Sequence, residues 1–524
     1  MNSAVIPVVC ILIFACRAAS GSELNSVSHG QAEHVVLVVW DGMRPDFITP
    51  QYTPTLYKLA ADGVFFKRHH PVYISSTEVN GTALATGMYP NHSGIIANRD
   101  YRPEMGWQDS LGTESVEAIR RGDLLSSGHF IAVPTLAEIL HEAGYRTIVA
   151  GTKPVALLHD RSNQRSAPGD VDSVMFYNGH TIPRTVLAGI VEANDKKDFP
   201  TNTTPNTARD AWTTKGLTEV LWKNGLPKYT VLWLSDPDAS QHATSPGSET
   251  SLGGIESSDN NLASVLKTLE ERNLRDKTDV MVVSDHGFST IQRVADVAEI
   301  LKKAKFTAGK KLNDAVRGDV VVVGLGGSVM LYVIGHEEAV TRRLVRFLQG
   351  SDFAGVIFSR LPIEGTFPLE QVRLNTTNTS PDVVVSLRWS EEKNQYGAPG
   401  LIVSEGGKKG EGTHASLSRF DMRNTLVASG PDFRRGYIDE LPSGNADVVP
   451  TILWLLGVKP ARAMDGRILV EALNGPHDLS QKPETKTIEA HRRLELNLWR
   501  QYLKFTTLDE QIYFDEGNGE SVPN

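Results

Sequence analysis

Acids and histidines gather at the ends of three apolar runs, and their types suit one kind of chemistry. Asp41 follows Val35–Trp40 (VVLVVW), Asp238 and His242 follow Tyr229–Leu234 (YTVLWL), and Asp285 and His286 follow Asp279–Val283 (DVMVV). His414 stands in a glycine-rich loop, Gly410-Glu411-Gly412-Thr413-His414. Oxygen and imidazole donors without sulfur suit Zn²⁺, Mn²⁺ or Fe in a catalytic centre rather than a structural zinc site. The spacing of Asp238 and His242 puts both on one face of a helical turn. Taken singly, each residue has an ordinary role: an Asp after a strand is commonly a turn former or helix cap. The recurrence of acid and imidazole after three separate runs is what points to a cation site.

A second segment offers a nucleophile. Tyr73–Gly87 (YISSTEVNGTALATG) reads as a hydroxyl-rich turn leading into a short helix that ends at Gly87. The N-terminus of such a helix carries unpaired N–H groups and favours phosphate-like anions. Thr77 is there either as a plain N-cap or as an attacking oxygen ionised by a bound metal.

These residues need a scaffold, and the runs themselves supply it. Each is continuously apolar and β-branched rather than alternating, as in strands buried on both faces of a parallel sheet. Ligands of open α/β sheets bind beyond the carboxyl ends of such strands. Helical patterns at Thr53–Asp62, Val133–Ala143 and Asn260–Arg272 alternate with the strands, so the expected class is α/β, a mostly parallel central sheet flanked by helices. Residues 291–400 change texture, with strands at Asp319–Val323, Val329–Val333 and Val383–Leu387 around a helix at Glu338–Leu348. They are predicted to form a small α+β insertion. The core is then split into residues 33–290 and 401–475, the second part carrying His414, a strand at Arg423–Ala428 and a helix at Val448–Leu456. Residues 476–524 are predicted as a peripheral helix and loose tail.

The chain has 524 residues, with 53 Lys plus Arg against 62 acidic residues and a formal charge of −9. That balance excludes a general nucleic-acid binder, which would show a broad basic surface. It leaves room for an anionic substrate, because bound metal ions reverse the local sign. Both cysteines, Cys10 and Cys16, lie at the start of the chain, so the remainder has no disulfide, thiolate ligand or cysteine nucleophile. Ala4–Ala15 is apolar, too short to span a bilayer and suited to a signal-peptide core. Ala18, Ala19 and Ser20 follow as small residues near a cleavage point. The expectation is a signal peptide over residues 1–20 and an exported protein, periplasmic or secreted. Ile13-Phe14-Ala15-Cys16 loosely matches a lipobox, and membrane attachment is expected only if Cys16 is lipidated.

In combination, the motifs resemble the alkaline phosphatase superfamily, and most of all its nucleotide pyrophosphatase/phosphodiesterase branch. The matching pieces are Asp41-Gly42-Met43-Arg44-Pro45-Asp46, the Thr77/Asn80 segment with Ala85-Thr86-Gly87-Met88-Tyr89-Pro90, Asp238-x-x-x-His242, Asp285-His286-Gly287, Gly412-x-His414 and a late Asp465-Gly466-Arg467. The resemblance implies two divalent metal ions, usually zinc. One would be held by Asp238, His242 and His414, the other by Asp41, Asp285, His286 and the Thr77 oxygen. It also implies that Asn80 helps the metals hold a phosphoryl oxygen. Where the branch has Thr-x-Pro-Asn-His, this chain has Thr77-Glu78-Val79-Asn80-Gly81, so the pocket surface differs. Lys153 stands where proteins similar to phosphonoacetate hydrolase carry a substrate-binding lysine. His69, His70 and Asp236 read as solvated or supporting residues.

The implied reaction is attack of Thr77 on a phosphate diester or nucleotide pyrophosphate, followed by hydrolysis of phospho-Thr77. Two dications against three carboxylates leave one positive charge, which ionised Thr77 cancels. The expected partner is a small anionic phosphate ester or phosphonate. Phosphonate cleavage of the phosphonoacetate hydrolase kind and phosphomonoester hydrolysis are the alternatives within this chemistry. An inactive exported binding protein that retains the fold is the alternative outside it. A sulfatase is excluded by the lack of a C/S-x-P-x-R motif near Thr77.

Overall fold

The computed structural model describes residues 30–103, 110–113, 115–161, 173–376, 379–477 and 482–524. The expected signal peptide and both cysteines lie outside the described residues. Nine strands form the central sheet: β1 (His34–Trp40), β2 (Val64–His70), β3 (Thr147–Gly151), β4 (Val174–Tyr177), β5 (His180–Ile182), β6 (Tyr229–Leu234), β7 (Thr278–Val283), β8 (Leu426–Ser429) and β9 (Tyr437–Gly444). Their order across the sheet is β9-β2-β8-β7-β1-β6-β3-β4-β5. β1 pairs in parallel with both β6 and β7, and β3 extends the parallel set beyond β6. β8 and β5 run antiparallel to their neighbours. The class is α/β with a mixed, mostly parallel sheet.

The reason for the unbroken apolar runs is visible in β1. Val35, Leu37 and Val39 enter one core with Leu84, Val448 and Ile452. Val36, Val38 and Trp40 enter the opposite core with Leu56, Ile255 and Leu262. Both faces are covered by helices, so neither set of side chains can be polar. Each buried side chain of this size is worth about 1.5–3 kcal/mol. That packing fixes the strand ends where Asp41, Asp238 and Asp285 emerge.

A second, six-stranded sheet contains Val320–Gly324, Ser328–Val333, Ala354–Ser359 and Val383–Leu387. The helices Val297–Lys303 and Glu338–Gln349 accompany it. A four-stranded sheet joins Ser289–Val294 to Pro399–Ser404 and to Gly412–Thr413, just before His414.

The end of the chain corrects the expectation of a peripheral helix and tail. Glu484–Arg493, Asn497–Leu508 and Gln511–Pro523 form a three-stranded antiparallel sheet. In its middle strand Trp499, Gln501, Leu503 and Phe505 are buried, alternating with Arg500, Tyr502 and Lys504. That period of two, diluted by charges, belongs to a strand. Leu503, Phe505 and Phe514 pack with Val356 and Phe358 of the six-stranded sheet.

Candidate active site and cation centre

The three strand ends converge as the sheet topology requires. Asp41 follows β1 at the tight turn made by Gly42, whose φ is +71° and whose added Cβ would come within 2.9 Å of the Phe288 ring. This turn lets the Gly42 N–H donate to Asp285 Oδ1 at 2.9 Å. The Asp238 N–H donates to the Asp41 carbonyl at 2.9 Å, tying the β1 and β6 ends together. Asp238 opens the helix Asp238–Thr244, and His242 lies one turn along it. His414 Nδ1 meets the Ser75 carbonyl at 2.9 Å, and Ser75 Oγ donates to the Ser416 carbonyl at 2.8 Å. The His414 loop and the Thr77 loop are thus fastened to each other. Thr77 begins the helix Thr77–Thr86, which Gly87 ends.

Two clusters of donor atoms result: Asp41, Asp285 and His286, and Asp238, His286 and His414. His242 stands beside the second, its Nε2 3.2 Å from Asp238 Oδ1, with His414 Nε2 3.7 Å from the same oxygen. His286 Nε2 is 3.2 Å from Asp285 Oδ2, 3.7 Å from Asp41 Oδ1 and 3.2 Å from Thr77 Oγ1. Asp41, Asp285 and His286 are fully buried, while His242 sits at the rim with 43% of its side chain exposed.

The histidine tautomers follow from their partners. Nδ1 of His286, His414 and His242 each faces a backbone carbonyl, of Gly287, Ser75 and Gly412, at 2.9, 2.9 and 3.1 Å. A carbonyl only accepts, so Nδ1 carries the proton, and Nε2 of His286 and of His414 presents a lone pair to the crevice. At His242 burial is outweighed by the Asp238 carboxylate, which holds that ring above the usual imidazole range. Burial holds His286 below the usual imidazole range, and burial with the neighbouring His286 and His242 holds His414 well below it. The carboxylates facing them are incomplete: among the described residues, Asp41 Oδ1, Asp238 Oδ1 and Asp285 Oδ2 are buried without a hydrogen-bond partner.

Lone pairs pointed at lone pairs repel unless a cation lies between them. Tetrahedral ligands about 2.0–2.1 Å from an ion stand about 3.3 Å apart, close to the 3.2–3.7 Å separations here. The donor set therefore fits metal ions. The carboxyl groups register the same shortage of positive charge. Burial, then the Asp285 carboxylate, push Asp41 well up, and burial pushes Asp285 up to about 7. Burial opposes ionisation of Asp238 too, but Lys153 and His242 outweigh it and hold that carboxyl well below the usual range.

Two expected substrate contacts are placed differently. Asn80 is fully buried, and its Nδ2 donates to the carbonyls of Val72 and Ser76 at 3.1 Å, with Ile74 at 3.4 Å. Its Oδ1 accepts from the Val72 N–H and from Asn445 Nδ2. With both ends engaged, Asn80 shapes the loop that presents Thr77 and has no donor left for a phosphoryl oxygen. Lys153 reaches the crevice, but its Nζ is 2.8 Å from Asp41 Oδ2 and 3.0 Å from Asp238 Oδ2. His69 and His70 are buried, not solvated. His69 Nε2 meets Asn445 Oδ1 at 2.9 Å, and Asn445 Nδ2 donates in turn to the Asp285 carbonyl at 2.7 Å.

Sequence reasoning passed over Asn98, Asn445 and Trp233. Asn98 Oδ1 accepts the N–H of Glu78, the residue after Thr77, at 3.0 Å. Trp233 Nε1 donates to Asp41 Oδ2 at 2.9 Å. No local periodicity marks the two asparagines, but Trp233 interrupts an aliphatic strand beside the site, a signal that was available.

This geometry can be set beside known proteins. The model of the type I phosphodiesterase/nucleotide pyrophosphatase family matches residues 35–346, more than half of the chain and the segment that supplies every candidate ligand except His414. The chain belongs to that family. Among similar family members, bis(5'-adenosyl)-triphosphatase enpp4 of Xenopus laevis is 23% identical over 440 residues, covering 81% of this chain and 78% of the frog protein. Human ectonucleotide pyrophosphatase/phosphodiesterase family member 7 is 22% identical over 309 residues, 57% of this chain and 58% of the human protein. Venom phosphodiesterase 2 of Crotalus adamanteus is 24% identical over 282 residues, and the match covers 52% of this chain and 29% of the venom protein. In three dimensions the chain is similar to murine ectonucleotide pyrophosphatase/phosphodiesterase 5, an inactive threonine-to-alanine variant in complex with AMP, at a TM-score of 0.59 and 17% identity. That likeness covers 84% of this chain and 100% of the murine one.

Proposed function

We propose that this phosphodiesterase-family hydrolase is an exported two-zinc enzyme that cleaves phosphate diesters and nucleotide pyrophosphates through a phospho-Thr77 intermediate. The observation that carries the reading is the convergence of three imidazole Nε2 atoms on three carboxylate oxygens that have no hydrogen-bond partner among the described residues, with Thr77 Oγ1 3.2 Å from His286 Nε2. Asp41, Asp285 and His286 would hold one ion beside Thr77, and Asp238, His242 and His414 the other. Bound there, the ions would lower the pKa of the Thr77 hydroxyl and neutralise charge on the attacking and leaving oxygens.

The chain's own residues do the rest. Thr77, at the first turn of its helix, is held in line by Asn80 and by the tie between His414 and Ser75. Asn98 is the amide we assign to the phosphoryl oxygen, since it already grips the peptide next to Thr77. Nucleotide-type substrates agree with the bis(5'-adenosyl)-triphosphatase name of the frog relative and the AMP held by the murine one. The threonine-to-alanine variant, inactive in that relative, agrees with a threonine nucleophile. Export rests on the apolar segment Ala4–Ala15, and the N-terminal residue of the mature protein checks it.

The test is elemental analysis of the purified protein with a substrate panel. About two zinc ions per chain, turnover of bis-p-nitrophenyl phosphate above p-nitrophenyl phosphate and phosphonoacetate, and acid-quenched label on Thr77 are expected. A metal-free protein with no diester turnover after zinc addition would overturn the reading and leave a binding protein.

A further inference from the structure

Lys153 follows β3 in a loop anchored by the Thr152 N–H, which donates to the Trp233 carbonyl at 2.9 Å. Its ammonium meets one carboxylate from each cluster, Asp41 at 2.8 Å and Asp238 at 3.0 Å. Both contacts are to Oδ2, and Trp233 Nε1 donates to the same oxygen of Asp41. The other oxygen of each side chain, Oδ1, has no hydrogen-bond partner among the described residues and faces imidazole Nε2 atoms. The two oxygens of each acid therefore have separate duties, one set by the lysine and one open to a cation.

From this division we propose that Lys153 is a positioning residue for the metal centre rather than a substrate contact. It clamps Asp41 to Asp238 through their Oδ2 atoms, turns the two Oδ1 atoms toward their ions, and so builds the two cation sites as one unit. The inference rests on the two-metal reading of the site. An ammonium suits the task because it carries three donors on a flexible stem and can bridge two oxygens of different side chains. The Lys153 side chain is only 20% exposed, and both carboxylates are more deeply buried still, so the pair is little screened by solvent. A backbone bond between the same two acids, from the Asp238 N–H to the Asp41 carbonyl, gives the clamp a second strut.

A positioning lysine and a substrate-binding lysine differ in what their loss moves. The experiment compares wild type with Lys153→Met, both purified with zinc, by the rate of zinc transfer to a chromogenic chelator and by KM and kcat for bis-p-nitrophenyl phosphate at saturating zinc. Partners that orient metal ligands typically contribute about 10–100-fold to metal affinity. Lys153→Met is accordingly expected to release zinc at least about tenfold faster, with the two ions leaving independently, kcat reduced and KM nearly unchanged. Zinc release as in wild type, together with a strongly raised KM, would overturn the inference and return Lys153 to the substrate. If Lys153→Met does not fold, Lys153→Gln, whose amide reaches at most one of the two oxygens, is read in the same way. A wild-type protein that holds no zinc would instead defeat the two-metal reading itself, an outcome separate from an unaltered Lys153 variant.

Discussion

Two of the buried groups of acids in this molecule are finished differently. Around Asp447 the protein supplies every partner: Oδ1 accepts the Arg467 N–H at 2.8 Å, and Oδ2 accepts the Gly444 N–H at 2.8 Å and the Tyr513 hydroxyl at 2.9 Å. Arg467 also pairs with both oxygens of Glu471. In the crevice, Asp41, Asp238 and Asp285 each keep one oxygen without a partner among the described residues. Burial of carboxylates is therefore a poor mark of a working site here. Incompleteness alone is not the mark either, since Asp279 and Asp439 also bury an oxygen without a partner among the described residues. What sets the crevice apart is that its unpartnered oxygens converge with imidazole nitrogens into metal-sized clusters. Native proteins rarely leave buried polar atoms unpaired without a functional reason.

The contrast can be broken by mutation, beginning with the largest effect. Thr77→Ala should lower kcat for a diester by at least about 10⁴-fold, a loss of the size seen when a nucleophile is removed. Elemental analysis should still find the metal, because six other ligands remain. Next, Asp285→Asn should cut turnover by about 10³-fold and lower the metal content. Its melting temperature in chelator should hold steady or rise, since an unpaired buried charge has gone. Arg467→Met should do the reverse, costing about 3–5 kcal/mol of stability in denaturant titration with near-normal activity per folded molecule. If Asp285→Asn melted early and Arg467→Met lost metal, the contrast would be inverted.

Smaller effects sharpen the picture. Asn98→Ala should reduce kcat by about 10²-fold, as for loss of one donor to a developing negative charge, with unchanged metal content. His159 is a third kind of incompletion, a buried imidazole edge-on to Trp233 whose Nε2 lacks a partner among the described residues. Burial pushes it down to about 3 from an ordinary value of 6.5. The unfolded chain binds this proton below pH 6.5 and the folded one does not, so the stability it supports is complete above that pH and is lost on acidification. The loss should reach about 2 kcal/mol by pH 5. Chemical unfolding of His159→Phe at pH 7.5 and pH 5 should show a pH dependence weaker by that amount.

How much of this was legible beforehand depended on the range of the signal. β1, β6 and β7 could be read because each is a local run of apolar residues, and Asp41, Asp238, Asp285 and His286 because they follow those runs directly. The C-terminal sheet was hidden because charged residues on its open face broke up the alternation of Trp499, Leu503 and Phe505. Asn80 was misread for a different reason. A polar residue near a nucleophile looks free in sequence, whereas its oxygen is held by Asn445, 365 positions away. Lys153 was expected as a substrate contact from its strand end, whereas the carboxylate oxygens it meets depend on side-chain orientation, which spacing does not encode.

The three carbonyl partners of His286, His414 and His242 carry one last consequence. Because each ring is already locked at Nδ1 by main chain, stripping the ions leaves the rings with nowhere else to turn. Demetallation should then be a local and reversible event, with activity returning on simple re-addition of zinc and no refolding step required. Such a protein would lose and regain its catalytic state, as the supply of ions falls and rises, without losing its shape.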